Sequence, residues 1–213
     1  MPMPGKFTAD EFVDAAIGLI LAGGPGAATA TAVAQAVGAP SGSVYHRFPT
    51  RHDLLAEAWL SPVRRFQAEF LPLLTADGDP VEIGVAAARH VLRWSADHKE
   101  AAALLARYSR SDFVSADCSA TVLADADALD RRATEALTGF LARFPAADHD
   151  RVRLAVIDAP LALVRRSFAT GGPDAGTAEL AADVALRLLA SGSGRSASPG
   201  RRSSAPRTSP RPK

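Results

Sequence analysis

The chain has 213 residues, of which 47% are hydrophobic and only 6% aromatic, enough for one large domain or two small ones with a substantial core. Its single cysteine, Cys118, excludes an intrachain disulfide and fits a reducing compartment. No stretch approaches the roughly 20 apolar residues of a membrane span, and the apolar stretch Ile17–Ala22 is too short and too acid-flanked for a signal peptide. We therefore expect a cytoplasmic protein without a membrane partner.

Charge is unevenly distributed along the chain. The formal net charge is +1, but the segment from Ser191 to the C-terminus holds six basic residues and no acidic ones. Residues 1–190 carry 18 basic and 23 acidic side chains, a net charge of −5. Bulk charge therefore gives no argument for nucleic-acid binding, which has to come from a local site. The tail is rich in Ser, Pro and Arg, which predicts disorder; it either adds a nonspecific grip on DNA or only improves solubility.

The predicted elements are all helices, because Ala and Leu dominate the apolar residues and strand-like runs are missing. Thr8 is a suitable N-cap for a first helix that ends near Ala22, before a Gly-Gly-Pro-Gly run. Thr29 is a suitable cap for a second helix ending near Val37. The pattern then predicts a third helix at Ser41–Arg47 and a fourth that begins at Pro49-Thr50 and is kinked or ended by Pro62.

A second helical region is predicted between about residues 80 and 189. Asp79-Pro80 is a favourable helix start, with a cap residue followed by proline at the first helical position. Amphipathic patterns predict further helices near 99–108, 121–144, 150–168 and 177–189, the third of them kinked at Pro160. We divide the chain into a DNA-binding domain at 1–55, a ligand-binding and dimerisation domain at 56–190, and the basic tail at 191–213.

The most informative stretch runs from Thr29 to Leu55, where two short helices flank a tight turn that contains Gly38. This arrangement is typical of a helix-turn-helix, which presents its second helix to the major groove of DNA. Val44 and Phe48 are spaced to anchor that helix from behind. Tyr45 either contacts DNA or packs in the domain core, and Gly42 allows either close helix packing or close approach to the DNA backbone.

The sequence in this stretch resembles the TetR family of bacterial transcriptional regulators. The resemblance covers about Phe7 to Leu55 and rests on Val37-Gly38, on Ser-Gly-Ser-Val-Tyr-His-Arg-Phe at Ser41–Phe48, and on Pro49. Two features depart from the family pattern. Pro40 stands where a Ser or Thr cap is common, so Ser41 is expected to take that role, and the second helix lacks the usual charged residues.

The resemblance implies a recognition helix, an effector pocket and a dimer interface. The residues expected to contact DNA are Thr29, Ser41, Gly42, Ser43, Tyr45, His46, Arg47 and Arg51. The sparse larger side chains of the middle region suggest a ligand pocket, although core packing explains each equally well: His90, Trp94, Tyr108, Phe113 and Cys118. Apolar rows on the last two helices suggest the dimer interface, with burial inside one subunit as the alternative: Ile157, Leu161, Val164, Phe168, Leu180, Val184 and Leu188.

The resulting hypothesis is a homodimeric regulator, most simply a repressor, that binds double-stranded DNA at a palindromic operator and responds to a small-molecule effector of unknown identity. No nucleophile–base pair, zinc-ligand spacing or phosphate-binding loop is recognisable, so we expect neither enzymatic activity nor a metal or other cofactor. The acidic residues between Asp125 and Glu135 form either a carboxylate cluster or a solvated helix face. Two alternatives remain: a helical small-molecule-binding protein or enzyme with a structural N-terminal bundle, and a nonspecific DNA-coating protein driven by the tail.

Overall fold

The computed structural model describes residues 7–191, and every regular element in this part of the chain is a helix. In chain order the α-helices are α1 (Ala9–Gly23), α2 (Ala30–Val37), α3 (Gly42–Tyr45), α4 (Arg51–Thr75), α5 (Pro80–Asp97), α6 (Lys99–Arg107), α7 (Ala120–Leu141), α8 (His149–Arg153), α9 (Ala159–Phe168) and α10 (Ala175–Ala190). No helix among the described residues has the length and apolarity needed to cross a membrane.

The predicted N-caps are confirmed for the first two helices. The Thr8 side chain caps α1 in a reciprocal pair with Glu11, and the Thr29 hydroxyl accepts a hydrogen bond from the Ala32 N–H at 3.1 Å. The third helix is shorter than predicted, since its α-helical part ends at Tyr45. Ser41 occupies the N-cap position of α3, but its side chain makes no capping hydrogen bond. The expectation that Ser41 caps through its hydroxyl is therefore wrong.

Proline residues have different effects in the two long helical segments. α4 continues through both Pro62 and Pro72, so the fourth helix does not end at Pro62. Pro62 is buried where α4 packs against its neighbours, and this packing offsets the missing backbone hydrogen bond. At Pro160, by contrast, the helix is interrupted: a π-helical turn at Leu154–Asp158 separates α8 from α9. A missing N–H donor favours such an irregularity, which agrees with the predicted kink.

The apolar side chains form separate cores at the two ends of the molecule. The N-terminal core brings Phe12, Val33, Val44 and Leu54 together with Leu104 from α6. The C-terminal core is built around α5 and α10. α4 contributes to both, because Leu54 and Leu55 lie in the first and Phe70 and Leu74 in the second. The proposed domain boundary at residue 55 thus falls inside a continuous helix.

A glycine allows α5 and α10 to approach closely. A Cβ atom placed on Gly84 would lie 2.5 Å from Leu189 Cδ1, 3.3 Å from Val156 Cγ1 and 3.4 Å from Phe140 Cζ. Alanines on α10, Ala181 and Ala185, are buried in the same core. Small residues therefore set the distance between these helices, which fixes α10 beside α5.

Candidate DNA-binding surface and effector cavities

The turn between α2 and α3 has the geometry of a helix-turn-helix. Gly38 follows α2 with φ +70° and ψ 28°, and its N–H bonds back to the carbonyls of Ala34 and Gln35. This left-handed conformation is readily accessible to glycine and ends the helix sharply. The chain then passes Pro40 and enters α3. The sequence pattern around Gly38 therefore positions α3 as the presented helix.

α3 has one buried face and one exposed face. Val44 is 1% exposed and Phe48, just after the helix, is 6% exposed, so both anchor it to the N-terminal core. Tyr45 lies on the opposite side with 56% of its surface exposed. It does not pack in the domain core, which removes one of its two interpretations. No atom would lie within 4 Å of a Cβ on Gly42, so close helix packing does not explain that glycine either.

The other predicted contact residues of this segment are also accessible. Ser41, His46 and Arg47 are exposed, and Ser43 is half-buried. The structure thus places a polar surface of small, aromatic and imidazole side chains on the outer side of α3.

Both arginines expected to contact DNA are engaged within the protein. The Arg47 guanidinium donates to the Phe7 carbonyl and lies 6.0 Å from the centre of the Phe12 ring. Arg51 donates from Nη2 to the Pro25 carbonyl at 2.7 Å, which ties the start of α4 to the loop after α1. These long-range contacts give both residues a structural role that sequence analysis did not foresee.

Asp53 joins the N-terminal helices to α7 and is 2% exposed. Its Oδ2 accepts hydrogen bonds from the Thr50 hydroxyl and N–H, and its Oδ1 accepts one from the Ser119 N–H at 2.8 Å. Burial acts to raise the pKa of Asp53, but the hydrogen bonds from Ser119 and Thr50 outweigh it and hold that pKa below its usual value. The Thr50-x-x-Asp53 spacing of a capping box was the available sequence signal.

The five residues proposed for a ligand pocket do not come together. Trp94 and His90 lie near Phe66, whereas Tyr108 and Phe113 pack into the N-terminal core. Cys118 is buried in a separate cluster between α4 and α7. Core packing therefore accounts for Tyr108, Phe113 and Cys118. The five residues do not line one common pocket.

His90 is held against aromatic rings rather than in a polar site. Its ring lies 6.1 Å from that of Phe66 and 6.4 Å from that of Phe70. Burial lowers the pKa of His90, and the carboxylate of Glu69, 4.0 Å away, only partly opposes this shift. The side chain is accordingly neutral at pH 7.

The cavities of the C-terminal region follow one another along the helices. A groove of about 380 Å³ lies between α4 and α7, and a smaller cavity of about 100 Å³ lies between α5, α6 and α9. Phe66 and Leu105 line both of them. A cleft of about 450 Å³ opens beyond the smaller cavity and shares Ala106 and Arg165 with it. Of the five residues predicted from the sequence, Trp94 is the one that lines these cavities.

Residues 12–58 match the model of the family described as bacterial regulatory proteins, tetR family. The N-terminal segment of the chain is therefore similar to the TetR family. The fold of the chain is similar to that of a TetR-like transcriptional regulator from Rhodococcus sp. RHA1, with a TM-score of 0.65 at 20% identity, covering 89% of this chain and 99% of that one.

Further solved transcriptional regulators have a similar fold. PfmR from Thermus thermophilus has a TM-score of 0.62 at 20% identity, covering 85% of this chain and 97% of its own. FadR from Bacillus subtilis, in complex with stearoyl-CoA, has a TM-score of 0.62 at 13% identity, covering 85% and 98%. None of the curated proteins compared with the chain matches it. The structural similarities show an all-helical fold, and the match at residues 12–58 places the similarity to the tetR family in the segment that holds the helix-turn-helix.

The residues expected at the dimer interface differ in accessibility. Leu161 and Leu180 are 40% and 41% exposed. Val164 is only 3% exposed and belongs to the C-terminal core, so it is not available to a partner. The remaining four are partly buried: Ile157, Phe168, Val184 and Leu188.

Two of the acidic residues of α7 form ion pairs with the same arginine. Arg110 contacts Asp127 at 2.9 Å and Asp130 at 3.2 Å. Within residues 7–191, no three His, Cys, Asp or Glu side chains are arranged to hold a metal ion. A solvated, ion-paired helix face describes this region.

Proposed function

We propose that the protein is a homodimeric, ligand-responsive repressor that binds a palindromic operator through α3. The observation that carries this proposal is the exposure of Tyr45 on a short helix whose other face is anchored by Val44 and Phe48. A large aromatic side chain held out in water has no role in the fold of the monomer. On a presented helix it is suited to contact a DNA phosphate or base edge.

The recognition surface consists of Tyr45 and His46, with Ser41, Gly42 and Ser43 near the start of α3. Arg47 and Arg51 support it indirectly, because their contacts with Phe7 and Pro25 hold α3 and the start of α4 against α1. Thr29 has a similar supporting role as the N-cap of α2. Few free cations lie on the described part of this surface, which suggests a modest dependence of specific binding on salt.

Fluorescence anisotropy with a duplex from the promoter region of the protein's own gene tests the recognition surface. We expect Tyr45→Ala to weaken binding by about 1–3 kcal/mol, or roughly 5- to 150-fold. Arg132→Ala, a substitution on the exposed face of α7, removes a positive charge far from α3 and serves as the matched control. Equal binding by Tyr45→Ala and the parent would contradict the docking of α3.

Two recognition helices on a homodimer are expected to lie about 34–36 Å apart, one turn of DNA, and so to bind two half-sites related by symmetry. Moving the half-sites apart by about five base pairs, half a turn of DNA, places them on opposite faces of the duplex. A repressor dimer should lose most of its affinity for that duplex. Unchanged affinity would instead favour a nonspecific DNA-coating protein.

The tail provides a second comparison with nonspecific binding. Deletion of residues 191–213 removes six basic side chains. The proposal expects the shortened protein to keep its preference for the operator and to lose only affinity. A structural N-terminal bundle, the remaining alternative, predicts no operator binding in either protein.

A further inference from the structure

We propose that the effector is a long-chain amphipathic anion, with its apolar chain in the groove and cavity of the C-terminal region and its head group between Arg107 and Arg165. This inference specifies the ligand class of the proposed ligand-responsive regulator and rests on that function. It is carried by the order of the cavities, by the two arginines that line the outer cleft, and by the buried indole N–H of Trp94, which has no partner among the described residues. One further arginine, Arg153, lines the groove.

The cavities are neighbours, because each shares lining residues with the next. Phe66 and Leu105 line both the groove between α4 and α7 and the cavity beside α5, and Ala106 and Arg165 line both that cavity and the outer cleft. The first two spaces are lined mainly by aliphatic and aromatic side chains. Small movements of Phe66 and Leu105 would join them into one elongated apolar site, whose shape suits a chain more than a compact ring system.

The outer cleft is positively charged. Arg107 and Arg165 both line it, and no carboxylate does so among the described residues. Arg165 makes no hydrogen bond or ion pair within the described part of the chain, while Arg107 donates only to the Leu21 carbonyl, at 3.0 Å. Guanidinium groups bind carboxylates and phosphates through paired hydrogen bonds. The cleft therefore suits an anionic head group attached to an apolar chain.

Trp94 supplies an independent indication that the inner cavity accepts a ligand. The side chain lines the cavity and is 3% exposed, and its Nε1–H has no hydrogen-bond partner within residues 7–191. A buried indole N–H normally finds an acceptor, and leaving it unpaired costs free energy. A ligand that carries a carbonyl or hydroxyl oxygen near its head would supply that acceptor.

The position of Arg107 connects the head group to the DNA-binding domain. Its bond to Leu21 holds the last turn of α1 against α6. A head group that pairs with Arg107 competes for the same guanidinium. Binding of the anion then weakens one of the contacts that hold α1, and this difference between the free and bound states couples the two sites.

Binding is tested with palmitate as the probe, by calorimetric titration of the full chain. Trp94 fluorescence in Trp59→Phe, where Trp94 is the one remaining tryptophan, gives a second readout. We expect saturable binding and a shift in Trp94 emission.

Hexadecyltrimethylammonium, which has the same chain length and a positive head, should bind at least roughly tenfold more weakly. Equal binding of both amphiphiles, or no binding of palmitate, would overturn the proposal. Palmitoyl-coenzyme A and free coenzyme A distinguish a carboxylate head from a phosphate-bearing one.

Two arginine variants distinguish the affinity for palmitate from the effect of bound palmitate on DNA binding. Arg165→Gln should weaken palmitate binding about 10- to 100-fold yet leave the full loss of DNA affinity at saturation. Arg107→Gln should in addition reduce that maximal loss. Arg166→Gln, on the exposed side of α9 and without a partner in the described residues, is the control and should bind palmitate like the parent. If Arg165→Gln and Arg166→Gln behave alike, the head-group site is wrong.

The DNA measurements distinguish this inference from the proposed function. Operator binding by the ligand-free protein, with its dependence on Tyr45, tests the function alone. If that binding is present and palmitate neither binds nor releases the duplex, the ligand class fails and the DNA-binding function stands. If operator binding is absent while palmitate binds, the proposed function fails and the site remains.

Discussion

A single buried carboxylate, Asp53, connects the start of α4 with the start of α7. It caps its own helix through Thr50 and accepts the Ser119 N–H in the N-cap region of the other. A short side chain thus satisfies donors at two helix ends that are 66 positions apart in the sequence. This junction fixes the start of α4 relative to the start of α7. α4 in turn extends from the DNA-binding helices into the C-terminal core.

Asp53→Asn should destabilise the protein by about 1–3 kcal/mol at pH 7, because a charged acceptor of several hydrogen bonds is replaced by a neutral one with fewer lone pairs. The pKa of Asp53 is lowered in the folded protein. Its contribution is therefore complete above the unfolded pKa of about 4 and is lost as the pH falls through the lower folded pKa. Urea unfolding at pH 7 and pH 3 should show the difference between parent and variant shrinking with acidity.

Asp125→Asn is the control for this measurement, since Asp125 is exposed on α7 and has no contact with the junction. It should change the free energy of unfolding by less than about 0.5 kcal/mol at either pH. A difference between Asp53→Asn and the parent that stays constant down to pH 3 would show that the carboxylate charge does not contribute.

At the scale of elements, helix caps and helix ends could be predicted from the sequence. Thr8, Thr29 and Asp79 cap helices where the pattern placed them, and Gly38 ends α2 in the left-handed conformation. These features depend on residues within one turn of each other, so they are visible in a short window. The face of α3 was also predictable, since Val44 and Phe48 are spaced to point inward.

Contacts between distant segments could not be predicted in this way. The sequence predicts DNA contacts for Arg47 and Arg51, and nothing near them in the sequence shows that they also donate to the carbonyls of Phe7 and Pro25. Their contact with DNA stays a prediction. The five residues predicted to line a ligand pocket lie apart in the fold, and this separation could not be predicted for the same reason. Large side chains were grouped by size, whereas the fold places Phe113 and Tyr108 in the N-terminal core and leaves Trp94 beside a cavity.

The close approach of α5 and α10 leads to a prediction about glycine. Gly84→Ala should destabilise the protein by about 1–3 kcal/mol, because the added methyl group overlaps Leu189 within a closed core. Gly139→Ala is the matched control on a helix, since nothing lies within 4 Å of its Cβ position. It should stabilise the protein by about 0.5–1 kcal/mol through helix propensity. Guanidinium unfolding measures both; stabilisation by Gly84→Ala would show that α10 can move away without cost.

At the scale of the whole molecule, α1 is held to the C-terminal region by few polar contacts. Arg65 on α4 pairs with Asp14 at 3.1 Å, and Arg107 on α6 donates to Leu21. An exposed ion pair contributes little free energy. The N-terminal core adds Leu104 and Phe113 from the C-terminal side. A ligand that disturbs α6 therefore acts at one of the few polar contacts that hold α1.

The outward side of α9 and α10 leads to a prediction about assembly. Leu161 and Leu180 are exposed, and Val184 and Leu188 follow Leu180 at helical spacing. Pairing of these rows across a two-fold axis would form a four-helix interface and bury leucines that are otherwise in water. Leu180→Arg introduces a charge into the centre of that interface, and burial of an unpaired charge is strongly unfavourable. Sedimentation equilibrium should show the parent at twice the chain mass of 22.2 kDa and this variant mainly at the chain mass.

Leu186→Arg is the matched control, since Leu186 is 48% exposed on the same helix but lies off the Leu180–Val184–Leu188 row. It should remain a dimer and keep the operator affinity of the parent. Leu180→Arg should lose operator affinity together with dimerisation, because one recognition helix alone contacts a single half-site. If both variants dimerise, the pairing row is wrong; if both are monomers, the interface extends around α10 and includes the Leu186 side. Only a monomeric Leu180→Arg beside a dimeric Leu186→Arg supports pairing through the Leu180 row.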